Sequence, residues 1–139
     1  MPFDFSNLPW WAYVAILIVI AVIGFIVYHY ATKYSPATIP LDASEPGLPA
    51  NFDPEANAQA AYNALTAFTG PNNNDLLALS NLNDNELKAV YNSFNQDHYS
   101  DLNETLTQAI AGIITFITST DTRTIRDQLV SRMQNLGLV

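Results

Sequence analysis

Few residues in this chain could carry out chemistry, and the two histidines come first. The chain has no cysteine, and neither His29 nor His98 has a second histidine at the short spacing that a transition-metal site needs. Ser93 and Ser100 lie near His98 in sequence and could act as nucleophiles if that histidine activated them. Because residues 95–99 are polar throughout, we instead predict a surface turn at the end of a helix there.

Acidic residues gather in the same region, at Asp97, Asp101 and Glu104. Paired carboxylates can serve as a general acid and a general base. Asp101 followed three residues later by Glu104 is also the pattern of a helix cap, and we predict that role. The five glycines are scattered and form no phosphate-binding loop. The residues therefore predict a protein that is not an enzyme and that takes no cofactor and no small-molecule substrate.

Asn73, Asn74 and Asp75 form a weak candidate for a calcium site. Their side chains carry the oxygen atoms that calcium prefers, but only one of the three is charged. A polar turn between two helices explains the same residues more simply, so we predict a turn and no metal site.

The charge of the chain narrows the class of partner. Thirteen acidic residues oppose five basic ones, which gives a formal net charge of −8. This balance argues against a nucleic-acid partner and against adhesion to anionic lipid through a polybasic patch. Arg123, Arg126 and Arg132 give the last helix a basic side. We predict that these arginines pair within the domain or face solvent, with a partner protein as the alternative.

An apolar stretch dominates the N-terminal region. The run from Pro9 to Tyr28 carries no charge, and about 20 such helical residues match the hydrocarbon core of a bilayer. Aromatic side chains at both ends are typical of the two membrane interfaces. We therefore predict a tail over residues 1–8 and a transmembrane helix over residues 9–31. The predicted membrane anchors are Trp10, Trp11, Tyr13, Tyr28, Tyr30 and Lys33.

Two other interpretations of this stretch are a signal peptide and a buried helix. A signal peptide has a basic start and a shorter apolar core, whereas Asp4 is the only charged residue before this run. The remainder of the chain is too small to enclose a buried helix of this length. Lys33 and His29 at the far end favour a cytoplasmic C-terminal side by the positive-inside rule. The opposite topology stays open, because the choice rests on one lysine.

Residues 32–53 contain prolines at short intervals. Proline fixes φ and lacks the N–H donor, so we predict an extended linker and neither a helix nor a central strand. We expect neighbouring subunits of a larger assembly to hold this linker in place.

Residues 54–139 predict an all-α domain of about five short helices, because apolar residues recur at helical spacing and no stretch alternates as a strand does. Residues 53–55 form a helix start, and Asn83 with Glu86 forms a capping box. Residues 102–117 present a broad apolar face, and a last helix begins near Thr120 or Asp121 and ends at Gly137. The predicted helical-domain core consists of Leu65, Phe68, Leu87, Val90, Tyr91, Phe94, Leu106, Ile110, Ile113, Leu129 and Met133.

Five segments of this domain resemble one annexin-type repeat: residues 60–65, 69–70, 75–79, 85–94 and 101–102. The resemblance covers about residues 53–136. Annexin repeats pack short helices into a right-handed superhelix, and single copies also occur in bacterial and bacteriophage proteins. The resemblance implies a helical packing module. It implies no calcium-dependent activity, because proline and asparagine replace the second glycine and the threonine of the family's calcium loop.

Taken together, these features predict a non-enzymatic, single-pass membrane protein that acts as a structural subunit of a larger assembly. Its expected partners are the lipid bilayer and other protein subunits. The asparagine-rich, lysine-poor composition favours a minor protein of a membrane-containing bacterial virus, which links the internal membrane of the virion to a protein shell. One alternative is an accessory subunit of a secretion, motility or respiratory complex in a bacterial inner membrane. Another is a calcium- or lipid-responsive membrane regulator.

Overall fold

The computed structural model describes residues 8–31, 36–113 and 119–139. Within these residues there are six helices and no strand, which confirms the predicted all-α class for the described part of the chain. The helices are α1 (Trp10–Ala31), α2 (Pro54–Thr66), α3 (Asn73–Ser80), α4 (Asp84–Leu102), α5 (Leu106–Ala111) and α6 (Thr120–Asn135). The chain divides into two compact units, Met1–Tyr34 and Ser35–Val139, and each is described by itself.

Helix α1 makes up the described part of the first unit. It begins after Pro9, whose carbonyl oxygen accepts the N–H of Ala12 at 2.8 Å. From Trp10 to His29 the helix is long and apolar enough to cross a membrane, and none of this stretch is buried within the protein. A signal sequence near an N-terminus meets the same criteria of length and composition.

Side chains that cap helix starts define the helices of the second unit. A carboxylate oxygen of Asp53 accepts the N–H of Ala56 at 3.0 Å, and Pro54 fills the first helical position of α2. Asn83 and Glu86 form a reciprocal capping box at the start of α4, which confirms the predicted box. Two further boxes, Asn72 with Asp75 and Thr105 with Gln108, begin α3 and α5.

The core of the second unit lies around α4. This helix packs against α2 and α5, while α6 packs against α3 and α5. The buried cluster comprises Ala58, Ala61, Leu76, Leu79, Leu87, Val90, Tyr91, Phe94, Leu106, Ala109, Ile110, Leu129, Met133 and Leu138. Of the predicted core residues outside this cluster, Leu65 and Ile113 are half-buried and pack against it.

Phe68 does not lie in the core, and its prediction as a core residue is wrong. Helix α2 ends at Thr66, and the side chain of Phe68 is fully exposed. The apolar spacing that includes Phe68 therefore continues beyond the last helical turn. Tyr62, earlier on α2, does pack towards α4: it is half-buried, and its ring centroid lies 6.5 Å from that of Phe94.

Helix α4 is longer than the sequence pattern predicts. The polar stretch of residues 95–99 is helical, and α4 continues to Leu102. Asn103 then ends it in the left-handed conformation, with φ of 55°. The predicted cap at Asp101 is therefore wrong, because Asp101 lies inside α4 and Thr105 caps the next helix. Of residues 102–117, α5 takes only Leu106–Ala111, and the predicted apolar residues 114–117 lie outside the described residues.

The C-terminal residues turn back into the core. Gly137 follows the end of α6 with φ of 77°, a conformation that suits glycine. The N–H of Leu138 then donates to the carbonyl of Met133 at 2.9 Å, and the Leu138 side chain is fully buried. The hydroxyls of Tyr91 and Thr107 donate to the carbonyls of Val139 and Leu138, each at 2.6 Å.

Residues 36–53, the described part of the predicted linker, are extended with short turns and form no helix. They belong to the second unit and contact its helices. We call this segment the strap. The contacts that the structure gives it are made within the chain, whereas the sequence led us to expect neighbouring subunits to hold it.

Candidate functional site

Helix α4 presents two asparagines that bind the main chain of the strap. The Oδ1 of Asn92 accepts the N–H of Ile39 at 2.8 Å, and its Nδ2 donates to the Ile39 carbonyl at 2.8 Å. The Oδ1 of Asn85 accepts the N–H of Asp42 at 2.7 Å. Its Nδ2 donates to the carbonyls of Asp42 at 2.8 Å and Pro46 at 3.1 Å. Because a side-chain amide carries both donor and acceptor, each asparagine binds the strap as a neighbouring β-strand does.

The distance between the two asparagines on α4 matches the distance between the two strap residues that they bind. Asn85 and Asn92 are seven residues apart, so they lie about 10.5 Å apart along the helix axis. Ile39 and Asp42 are three residues apart, which is about 10 Å of extended chain. Both amides can therefore reach the strap without distorting either element. The strap runs antiparallel to α4, because Ile39 pairs with Asn92 and Asp42 pairs with Asn85.

Few apolar side chains of the strap support these hydrogen bonds. Ile39 and Phe52 are half-buried and pack against the core. Leu41 and Leu48 remain 45% and 37% exposed. Ala89 lies between the two asparagines on α4, and with Leu41 it lines a shallow groove beside the strap. The strap is thus bound mainly through its main chain.

A small polar turn stabilises the middle of the strap. A carboxylate oxygen of Asp42 accepts the hydroxyl of Ser44 at 2.7 Å and the N–H of Ser44 at 2.9 Å. These two hydrogen bonds, with the positive charge of Lys88 as a further cause, lower the pKa of the Asp42 carboxyl below its ordinary value. The charged form of Asp42 therefore favours the turn.

The calcium candidates Asn73, Asn74 and Asp75 form the first turn of α3. One carboxylate oxygen of Asp75 accepts the N–H of Asn72 at 2.8 Å, as part of the capping box. The Oδ1 of Asn73 accepts the hydroxyl of Thr122 at the start of α6. The structure thus uses two of the three side chains to build and pack the helix start. Among the described residues, no group of three His, Cys, Asp or Glu side chains could hold a metal ion.

Two polar residues in the predicted surface turn are buried in the helical unit. His98 stacks on Tyr62, with ring centroids 4.1 Å apart, and its ring also contacts Phe94 at 5.4 Å. The Oδ1 of Asn95 accepts the N–H of Leu106 at 3.1 Å, which joins α4 to the start of α5. The arrangement makes His98 part of an aromatic cluster between α2 and α4. Ser93 and Ser100 lie on α4 itself.

The arginines of α6 bind groups of the same unit. Arg132 pairs with Asp84 at 2.6 Å, and Arg126 pairs with the adjacent Asp127 at 2.7 Å. Arg126 also donates to the carbonyl of Ile113 at 3.1 Å. Arg123 is exposed and donates to the hydroxyl of Thr120 at 3.3 Å. These contacts give the basic side of α6 a structural role.

The predicted membrane anchors that the structure describes fall near the two ends of α1. Trp10, Trp11 and Tyr13 are exposed near its start, and Tyr28 is exposed near its end. Tyr30 lies in the last turn of α1, but its side chain is outside the described part of the structure, as is the whole of Lys33. Apolar side chains between these ends are also exposed, for example Ile18 at 58%.

The exposed Phe68 lies beside a further apolar surface. Leu65, Leu102 and Ile113 line a pocket there of about 300 Å³ together with Phe68. This pocket lies between the end of α2 and the end of α5, beside Gly70 and Pro71 in the connection from α2 to α3.

Comparisons of this chain with protein-family models, with curated proteins and with solved structures find no match. The strap contacts are the feature that sequence reasoning missed. The available signal was the spacing of Asn85 and Asn92, which puts two amides on one face of a predicted helix but does not indicate what they bind.

Proposed function

We propose that this chain is a non-enzymatic, single-pass membrane protein that holds a small helical unit at the membrane surface as a structural subunit. The observation that carries the proposal is α1, whose 20 residues from Trp10 to His29 are apolar and unburied. A continuous apolar surface of this size is unstable in water and stable in a bilayer core. The aromatic rings at its ends suit the two interfaces.

The use of polar side chains in the second unit supports a structural role. Asn72, Asn83 and Thr105 cap helices, and Asn85 and Asn92 bind the strap. Asp84 and Arg132 join helices. Each of these polar groups stabilises the fold. A small module on a membrane anchor, with its polar side chains used in folding, fits a partner-binding role better than catalysis.

Alkaline extraction of membranes tests the anchor. We expect the full-length protein to stay in the membrane pellet, with an intact mass that includes residues 1–31. Release into the supernatant contradicts a membrane span. A shortened mass that lacks α1 indicates a cleaved signal sequence and also overturns the proposal.

Isolation in mild detergent followed by mass spectrometry tests the assembly. Virion shell proteins at fixed stoichiometry support a tether between an internal bilayer and a protein shell, the finer role that composition favours. Secretion, motility or respiratory subunits support an accessory role in a bacterial complex. A protein recovered alone, at the concentration found in its native membrane, contradicts a structural subunit.

A further inference from the structure

The strap is bound through contacts that can break without opening the core. Its five hydrogen bonds to Asn85 and Asn92 all use main-chain atoms of the strap. Among its side chains, Ile39 and Phe52 reach the core as half-buried residues. Segments with few buried apolar contacts open at a lower free energy than the core of the same protein.

The core does not include the strap. Each residue of the buried apolar cluster lies at position 58 or beyond, on α2–α6 or in the C-terminal turn that contains Leu138. The caps of α3, α4 and α5 are made by residues outside the strap, namely Asn72, Asn83 and Thr105. Asp53, the last residue of the strap, caps α2 through a contact within that helix's first turn, separate from the contacts with Asn85 and Asn92. Loss of the strap contacts therefore leaves the helical unit its own apolar core and helix caps.

The prolines of the strap restrict its conformation after release and so favour rebinding to α4. Ile39, Glu45 and Leu48 each precede a proline, and the residue before a proline is restricted to extended conformations. The released segment thus keeps much of the extended shape that Asn85 and Asn92 recognise. Less conformational entropy is lost when it rebinds than for a segment without prolines.

We propose that the strap is a detachable latch, which docks on Asn85 and Asn92 of α4 and releases as a unit while α2–α6 stay folded. Released and extended at about 3.1 Å per residue, residues 36–53 span about 55 Å. Docking shortens the free chain between the two units, and release lengthens it. The consequence for membrane attachment rests on the proposed function: release lets the helical unit follow a partner whose distance from the bilayer varies.

Amide hydrogen exchange on the full chain in detergent micelles tests this latch. The N–H groups of Ile39 and Asp42 report on the strap, and the N–H of Leu106, bound by Asn95 in the core, reports on the helical unit. We expect both strap amides to exchange at least about tenfold faster than Leu106, at rates that mild denaturant hardly changes, because they open locally. Equal rates that rise together with denaturant overturn the proposal, since the strap then opens only with the whole unit.

Variants of the two asparagines connect this exchange to the proposed contacts. The double variant Asn85→Ala/Asn92→Ala is expected to bring Ile39 and Asp42 to the exchange rates of an unstructured peptide and to leave Leu106 within about twofold of wild type. The matched control is Asn63→Ala on the exposed side of α2, whose amide pairs with Gln59. Unchanged strap protection in the double variant overturns the latch, and so does loss of protection at Leu106.

A more conservative variant tests the same contact without shortening a side chain, in case the two alanine substitutions disturb the packing of α4. Asn92→Asp keeps the volume and the acceptor for the Ile39 N–H, but it replaces the donor with a carboxylate that faces the Ile39 carbonyl. We expect faster exchange at Ile39 and no change at Leu106. An Ile39 rate equal to wild type contradicts the proposal. Liposome flotation of the same preparations measures the membrane anchor independently, so failure of the latch is distinguishable from failure of the proposed function.

Discussion

Arg132 on α6 binds Asp84 at the first position of α4, with Nη2 and Oδ1 2.6 Å apart. The same guanidinium donates to the carbonyls of Ser80 at 2.9 Å and Leu82 at 2.7 Å. These carbonyls lie where α3 ends, and a helix end leaves its last acceptors without helical partners. One side chain thus joins α3, α4 and α6.

We predict that Arg132→Ala lowers the free energy of unfolding by about 1–3 kcal/mol, because two carbonyls and a carboxylate lose their donor. Arg132→Lys should recover only part of the loss, since an ammonium group cannot form the same planar fork of bonds. Urea unfolding measures both. The control is Arg123→Ala on the same helix, which is exposed and is expected to change stability by no more than about 0.5 kcal/mol. Equal effects at the two arginines contradict this role.

Two phenylalanines provide a matched test of the core. Phe94 is fully buried and Phe68 is fully exposed. We expect Phe94→Ala to lower the free energy of unfolding by about 3–5 kcal/mol through lost burial and a residual cavity. Phe68→Ala should change it by no more than about 0.5 kcal/mol. Thermal melts of the two variants distinguish the sites, and a large loss at Phe68 contradicts its exposed position.

A charge in the middle of α1 tests the membrane span. Ile18→Arg should impair insertion, because an arginine at the centre of a span costs about 2.5–3.5 kcal/mol on insertion scales. The control Gln128→Arg adds the same charge to an exposed position of α6 and should leave insertion unchanged. Alkaline extraction of membranes measures both variants. Wild-type extraction of Ile18→Arg contradicts a span centred on this residue.

The turn of the strap predicts a shifted titration. The hydroxyl and N–H of Ser44 lower the pKa of Asp42 from its ordinary value of 3.8. Because this pKa is lowered in the folded protein, the charged carboxylate stabilises the turn above pH 3.8, and that stabilisation is lost as the pH falls through the lower value. Ser44→Ala removes the first of these causes and should move the pKa of Asp42 upward.

NMR titration of the Asp42 carboxyl carbon measures this shift. Ser131→Ala, an exposed serine on α6, is the control and should leave the titration of Asp42 unchanged. A wild-type pKa at or above 3.8, or one that Ser44→Ala does not raise, contradicts the hydrogen bonds of this turn.

Local signals explain which elements could be predicted. The start of α2 at residues 53–55 and the capping box of Asn83 and Glu86 depend on side chains within three residues of each other, so the sequence specifies them directly. Apolar spacing likewise placed Leu87, Val90 and Phe94 on one face, and all three are buried. The same spacing failed at Phe68, because periodicity does not show where a helix stops.

The burial of three residues could be recognised only from the tertiary structure. His98 and Asn95 look like surface residues in the sequence, yet Tyr62 from α2 and the start of α5 surround them once the helices pack. Leu138 enters the core only because Gly137 reverses the chain.

The sequence alone determined an all-α chain with a long apolar helix and a proline-rich extended segment, because periodicity and proline stereochemistry are local properties. Only the tertiary structure decided that this segment lies on α4. Asn92 and Ile39 are 53 positions apart, and Asn85 and Asp42 are 43 apart. Neither segment contains a local signal that indicates the other as its partner. Only the folded chain brings the Nδ2 of Asn92 to within 2.8 Å of the Ile39 carbonyl oxygen.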